Sequence, residues 1–370
     1  MMRKFLIIMF VIFSGFYLAH IGEGIPIFRN ASPIYYWSII GIVLYIFTIT
    51  NRRTIIIDKS MMISLLAILY FGATQPILNI SSLNYTVNLI LGFTYYFIVS
   101  DLLKTIDNND FLIRTSRTFL LFSLVLLTID AIIRIHSFQN IFIYSHSMLT
   151  GTMKFYSGKI NSLMFEDSNS TGFYAATMFF FALYLSNKIK GRFKFIKISF
   201  AILTFLSFSR AAILASLIVY FTYLLFTKLK KLWLILLSPV LIISVIYGTY
   251  YLWNILIKNP SFQTKIYIVD NALKYLSKEH SLIDFLVGVG FNTNVIGIWL
   301  HDFLFSYLIW SGFIGLILIL CFLISTVKIT RWKVSYLILF LLISGFSFTP
   351  YAIVFFFVVL AIMNRFERTA

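Results

Sequence analysis

The chain has 370 residues, of which 60% are hydrophobic and only 12% charged, with a formal net charge of +17, and its mean hydropathy is +0.92. These values exclude a single soluble domain, whose water-facing shell needs far more polar surface. The apolar runs do not alternate with polar residues, which excludes a β-barrel, and one cysteine, Cys321 inside an apolar run, builds neither a disulfide framework nor a thiolate metal site.

In chain order, apolar segments fall near 5–19, 35–50, 60–78, 85–100, 118–135, 170–186, 195–208, 211–226, 232–253, 303–326, 335–347 and 349–363. They predict an all-α polytopic membrane protein with about 12 transmembrane helices. Several runs are shorter than the roughly 20 residues a perpendicular span requires, so 195–226 and 335–363 each read also as one kinked or re-entrant element, and the count falls between about 10 and 12. Arg3 and Lys4 before the first run resemble the start of a signal peptide, but the later spans favour a retained anchor.

Lys and Arg are retained on the cytoplasmic side in short loops. With both termini cytoplasmic and the spans alternating, the inner segments hold 21 of the 30 basic residues. The stretch "NKIKGRFKFIK" (187–197) then reads as an anchor on anionic lipid, and nucleic acid is not an expected partner. The outer side receives two long segments, 136–169 and 254–302, within a single membrane domain spanning 1–370. These segments carry Glu166, Asp167, Asp270, Glu279, Asp284, Asp302 and four of the five histidines. Segments longer than about a dozen residues usually have a function, so a site is expected among them and the outer helix ends.

Each candidate has a bland reading beside a chemical one. Asp130 and Arg134, four apart on one helix, neutralise each other. "FEDSNSTGFYAA" (165–176) opens a helix: Asp167 or Asn169 is either a plain N-cap or part of an anion-binding helix start. "FLSFSRAAIL" (205–214) sets Arg210 between two apolar runs, as a snorkelling cap or as a planar fork for diphosphate oxygens. "QTKIYIVDNALKYLSKEHSLIDFLVGVGFN" (263–292) reads as a solvated amphipathic helix before a Gly-Val-Gly turn, and carries Lys265. His301 and Asp302 stand directly before the apolar run that ends at Thr326, where a charge is cheap only if it stays wet. No Asp-x-Asp, P-loop or Cys/His cluster indicates a metal, a nucleotide or any other cofactor.

Taken in order, "FEDSNSTG", "LSFSRAAILA", "KIYIVDNAL…GVGFN" and "HDFLFSYLIWSGFIG" make residues 163–326 similar to the O-antigen polymerase and O-antigen ligase superfamily of bacterial surface polysaccharide assembly. The resemblance implies a GT-C-like glycosyltransferase in the bacterial inner membrane, working without metal or other cofactor at the outer face. Its donor would be an undecaprenyl-diphosphate-linked oligosaccharide, with membrane lipids, a chain-length regulator and a flippase as partners. Arg210 matches the family's diphosphate-binding Arg, and Lys265 stands where Arg is usual, a point charge in place of a fork. His301 matches the family's periplasmic His, expected to activate the acceptor hydroxyl.

Asp167, Asn169 and Asp302 are expected substrate contacts beside Arg210 and Lys265, with Asp302 also a weaker candidate for orienting the imidazole. The product would be O-antigen, capsule or exopolysaccharide. A repeat-unit polymerase is the leading expectation. A ligase that transfers glycan to lipid A-core, and a flippase for the same lipid-linked units, stay open as alternatives.

Overall fold

The computed structural model describes residues 2–17, 32–50, 55–79, 83–106, 108–144, 163–165, 167–189, 192–228, 247, 260–277, 281–291, 293–295, 297, 300–347 and 353–368, with backbone alone at 137–144, 228 and 260–261. Every described element is a helix: α1 Met2–Phe13, α2 Pro33–Thr50, α3 Lys59–Leu78, α4 Leu83–Lys104, α5 Asn109–Tyr144, α6 Ser168–Lys188, α7 Lys194–Leu206, α8 Arg210–Lys228, α9 Pro260–Leu276, α10 Leu282–Val287, α11 Phe303–Ile329, α12 Ser335–Gly345 and α13 Val354–Arg368. Six of these, α2, α3, α4, α5, α8 and α11, are long and apolar enough to cross a membrane. Together with the composition, this makes the chain a helical membrane protein.

Two helices lie at the centre. α6 is buried from Thr171 to Leu185, and α13 from Val354 to Asn364, so both are sealed by protein on all faces. Rings fill the space between them and their neighbours: Phe173 stacks on Phe340 (5.2 Å), Tyr174 meets Phe355 edge-on (4.4 Å) and Phe93 meets Phe357 (4.8 Å). Several polar groups inside are paired. The Tyr174 and Ser123 hydroxyls lie 2.6 Å apart, and Asn364 donates to the Tyr96 hydroxyl at 2.6 Å.

Charge separates the two ends of the bundle. At one end Asp58, the N-cap of α3, pairs with Lys104 and Arg368 (both 2.7 Å), while Glu367 pairs with Lys188 (3.1 Å) and Lys333 (2.7 Å). That joins the start of α3, the ends of α4, α6 and α13, and the α11–α12 turn. At the other end the Tyr17 hydroxyl donates to Asn88 (3.2 Å), and Asn79, just past α3, donates to the Phe291 carbonyl (2.9 Å).

α5 continues to Tyr144, and α9 and α10 lie within 254–302, where the sequence predicts an amphipathic helix. The 195–226 stretch is two helices, because Ser207, Phe208 and Ser209 interrupt it with Phe208 at φ 55. The 335–363 stretch is likewise two, α12 and α13. α11 breaks at Gly312 (φ 67, ψ −178). The expected span at 232–253 lies outside the described residues apart from 247.

Candidate functional site

The start of α6 and the α7–α8 turn are fitted to each other. Asp167 is the extended N-cap of α6, but its side chain makes no capping bond and it lies exposed. Two residues on, Asn169 accepts a hydrogen bond from the Ser209 hydroxyl (2.9 Å), and the same Ser209 oxygen accepts the Ala212 amide (3.2 Å) and so caps α8. Gly172 permits this approach: a Cβ there would lie 2.7 Å from Ser209 Cβ and 2.8 Å from Ala212 Cβ. "SNSTG" and "SFSRAA" are therefore two halves of one contact. Arg210, the first residue of α8, stands exposed beside it.

A buried ion pair braces both halves. Arg134 and Asp130 pair through Nη2 and Oδ2, with side-chain exposures of 0% and 2%. The other Asp130 oxygen accepts the Leu163 amide (2.7 Å), and Arg134 Nη1 donates to the Ser207 carbonyl (2.6 Å). The expected neutral pair is thus also a strap between the segment entering α6 and the turn before Arg210. Removing one partner of such a buried pair costs about 3–5 kcal/mol.

His301 and Asp302 are positioned by a second joint. The break at Gly312 frees carbonyls of α11: Ile309 accepts the Val289 amide (3.1 Å) and Trp310 the Gly290 amide (2.9 Å). α3 secures the same joint, with the Tyr70 hydroxyl donating to the Ser311 carbonyl (2.7 Å) and Gln75 accepting the Phe291 amide (2.8 Å). "GVGFN" and "SGFIG" therefore interlock, and the first turn of α11 leaves this joint with a fixed direction.

The chemistry at that turn is unequal. Asp302 is 3% exposed and accepts the Phe305 amide (2.9 Å), which makes it the N-cap of α11. Burial pushes its pKa up, against the Phe305 and Leu304 amides and Lys265, which pull it down. As the N-cap, the carboxylate holds the turn that carries His301. His301 itself is exposed. Desolvation by the surrounding protein lowers its pKa, Asp167 raises it and Lys265 lowers it, with a net shift downward. The ring is therefore neutral near pH 7, the form that accepts a proton.

These interactions gather Asp167, Lys265 and His301 within electrostatic reach, with Asn169 and Arg210 joined to Asp167 through the α6–α8 contact. All lie at the end of the bundle away from the Asp58 and Glu367 clusters. Glu166 and Glu279 lie outside the described residues, as do His20, His146 and His280. Among the described residues no group of three His, Cys, Asp or Glu side chains could hold a metal ion. Sequence reasoning missed Tyr70, Gln75 and Asn79 as the fixings of the His301 joint; their signal was the polar side chains within the apolar stretch "YFGATQPILN". In comparisons with known proteins, the chain matches no family model, no curated protein and no solved structure.

Proposed function

We infer that the chain is a metal-independent membrane glycosyltransferase of the O-antigen polymerase type, a GT-C-like protein of about 12 spans with both termini cytoplasmic. It extends a glycan at the outer face of a bacterial inner membrane, using an undecaprenyl-diphosphate-linked donor and a lipid-linked acceptor. One observation carries this reading: four stretches far apart in sequence bring Asp167, Asn169, Arg210, Lys265 and His301 to a single end of the bundle. The opposite end carries Lys104, Lys188, Lys333 and Arg368 in ion pairs, which favours that end as cytoplasmic and the candidate site as external.

The chemistry matches the residue types. The acceptor hydroxyl oxygen attacks the anomeric carbon, its proton passes to the neutral imidazole of His301, and the bond to the lipid diphosphate breaks with its electron pair. Arg210 offers a bidentate fork and Lys265 a point charge to the departing diphosphate. Asp167 keeps the imidazole basic enough to take the proton, and Asn169 holds Ser209 and the start of α8 in place.

His301→Ala tests this in cells. Transfer should slow by roughly 10²–10⁴-fold, with lipid-linked single repeats accumulating at the outer face and surface glycan stopping at one repeat. Accumulation of long lipid-linked chains over a bare lipid A-core would reassign the protein as a ligase. Lipid-linked units held on the cytoplasmic leaflet would favour a flippase, and a normal ladder from stably inserted protein would remove His301 from the chemistry.

A further inference from the structure

A cavity lies far from the candidate site, at the end that carries the Glu367 cluster. It measures about 930 Å³, within the roughly 300–1,000 Å³ of small-molecule sites. Its walls are α8 from Val219 to Thr227 and α12 from Ser335 to Leu342, about two turns each. Ile338, Leu339 and Leu342 make one wall apolar, and the mouth holds Lys188, Arg331 and Lys333 against a single carboxylate, Glu367.

Tyr336 lines this cavity, with its hydroxyl sealed from the open space. At the mouth, Arg331 (φ 48) and Trp332 (φ 69) are consecutive left-handed residues without a glycine, a conformation that costs energy and marks functional segments. The turn leaves Trp332 72% exposed, the placement of an aromatic residue at a membrane interface.

We propose that this cavity is a binding site for one anionic phospholipid of the cytoplasmic leaflet. An acyl chain occupies the apolar space between α8 and α12, and the phosphodiester sits at Arg331 and the two lysines. The excess of cations at the mouth selects negative headgroups over zwitterionic ones of the same chain length. Because Lys188, Lys333 and Glu367 tie α6, α13 and the α11–α12 turn together, the bound headgroup joins the same ion-pair network. The site stands whether or not the glycosyltransferase reading does.

The test is photo-crosslinking of the full chain in detergent micelles, using phosphatidylglycerol with a diazirine at an acyl-chain end and phosphatidylcholine with identical chains. Labelling of peptides 219–227 and 335–342 should favour the anionic lipid by roughly tenfold or more. Arg331→Gln, an exposed change that keeps a long polar side chain, should lower the anionic label about fivefold, the worth of one basic residue at a headgroup, and leave the zwitterionic label unchanged. Leu339→Trp, which fills the apolar wall and leaves the ion pairs intact, should remove both labels. Equal labelling by the two lipids, insensitivity to both substitutions, or displacement by inorganic phosphate alone would overturn the proposal. Absence of any label would overturn it too.

Discussion

Gly312→Ala should dismantle the joint that aims His301. The residue sits at φ 67, ψ −178, a region that only glycine occupies at low cost, and forcing alanine there costs about 1–3 kcal/mol. A Cβ would also stand 2.4 Å from the Leu286 carbonyl oxygen and 2.6 Å from the Gly288 nitrogen, both backbone atoms. The 286–290 segment must then move, giving up the Val289–Ile309 and Gly290–Trp310 hydrogen bonds at about 0.5–1.5 kcal/mol each. The total, about 2–6 kcal/mol, corresponds to a fall of roughly 3–8 °C in the melting midpoint of a chain this size. Thermal unfolding in detergent should register it, and amide exchange at Val289, Gly290 and Phe291 should accelerate. Gly72→Ala is the control: its nearest neighbour is Ile90 Cδ1 at 3.7 Å, and alanine inside α3 gains up to about 1 kcal/mol. A Gly312→Ala protein with the melting midpoint and exchange rates of the wild type would refute the interlocking of the two glycine motifs.

Two further outcomes follow from the same geometry. Since the His301 pKa lies below the ordinary 6.5, transfer should be lost only as pH falls through a midpoint beneath that value; Asp167→Asn should move this acid limb lower and Lys265→Gln higher. A limb at or above 6.5 that neither change displaces would contradict the proton-acceptor role. In a Cys321→Ala background, Leu276→Cys should react with an impermeant maleimide in intact spheroplasts and Ile189→Cys should not. The reverse pattern would invert the topology.

Helix existence was legible because apolar runs and their flanking charges are local signals. The runs at 60–78 and 211–226 fall within a residue or two of α3 and α8, and Arg210 stands at the start of α8 as its Ser-Arg sequence suggests. Amphipathic character alone indicated α9. The joint at Gly312 was not legible: "SGFIG" reads as ordinary membrane helix until its freed carbonyls meet the Gly-Val-Gly segment more than 20 residues earlier. The capping role of Asp302 was not legible for a related reason, since adjacency to His301 draws attention to the imidazole while a helix start also offers a carboxylate its own amides. The Asp130–Arg134 pair was read from its i, i+4 spacing, but its hold on Leu163 and Ser207 depends on contacts 33 and 73 residues away.

The most direct measurement is glycosyl transfer by the purified chain in lipid nanodiscs, supplied with an undecaprenyl-diphosphate-linked repeat unit and a chelator of divalent metals. The account predicts a ladder of lengthened lipid-linked glycan from the wild type, none from Arg210→Ala, and little from Arg210→Lys, whose point charge cannot replace the guanidinium fork. No ladder from the wild type, or an unchanged ladder from an Arg210→Ala protein, would contradict it.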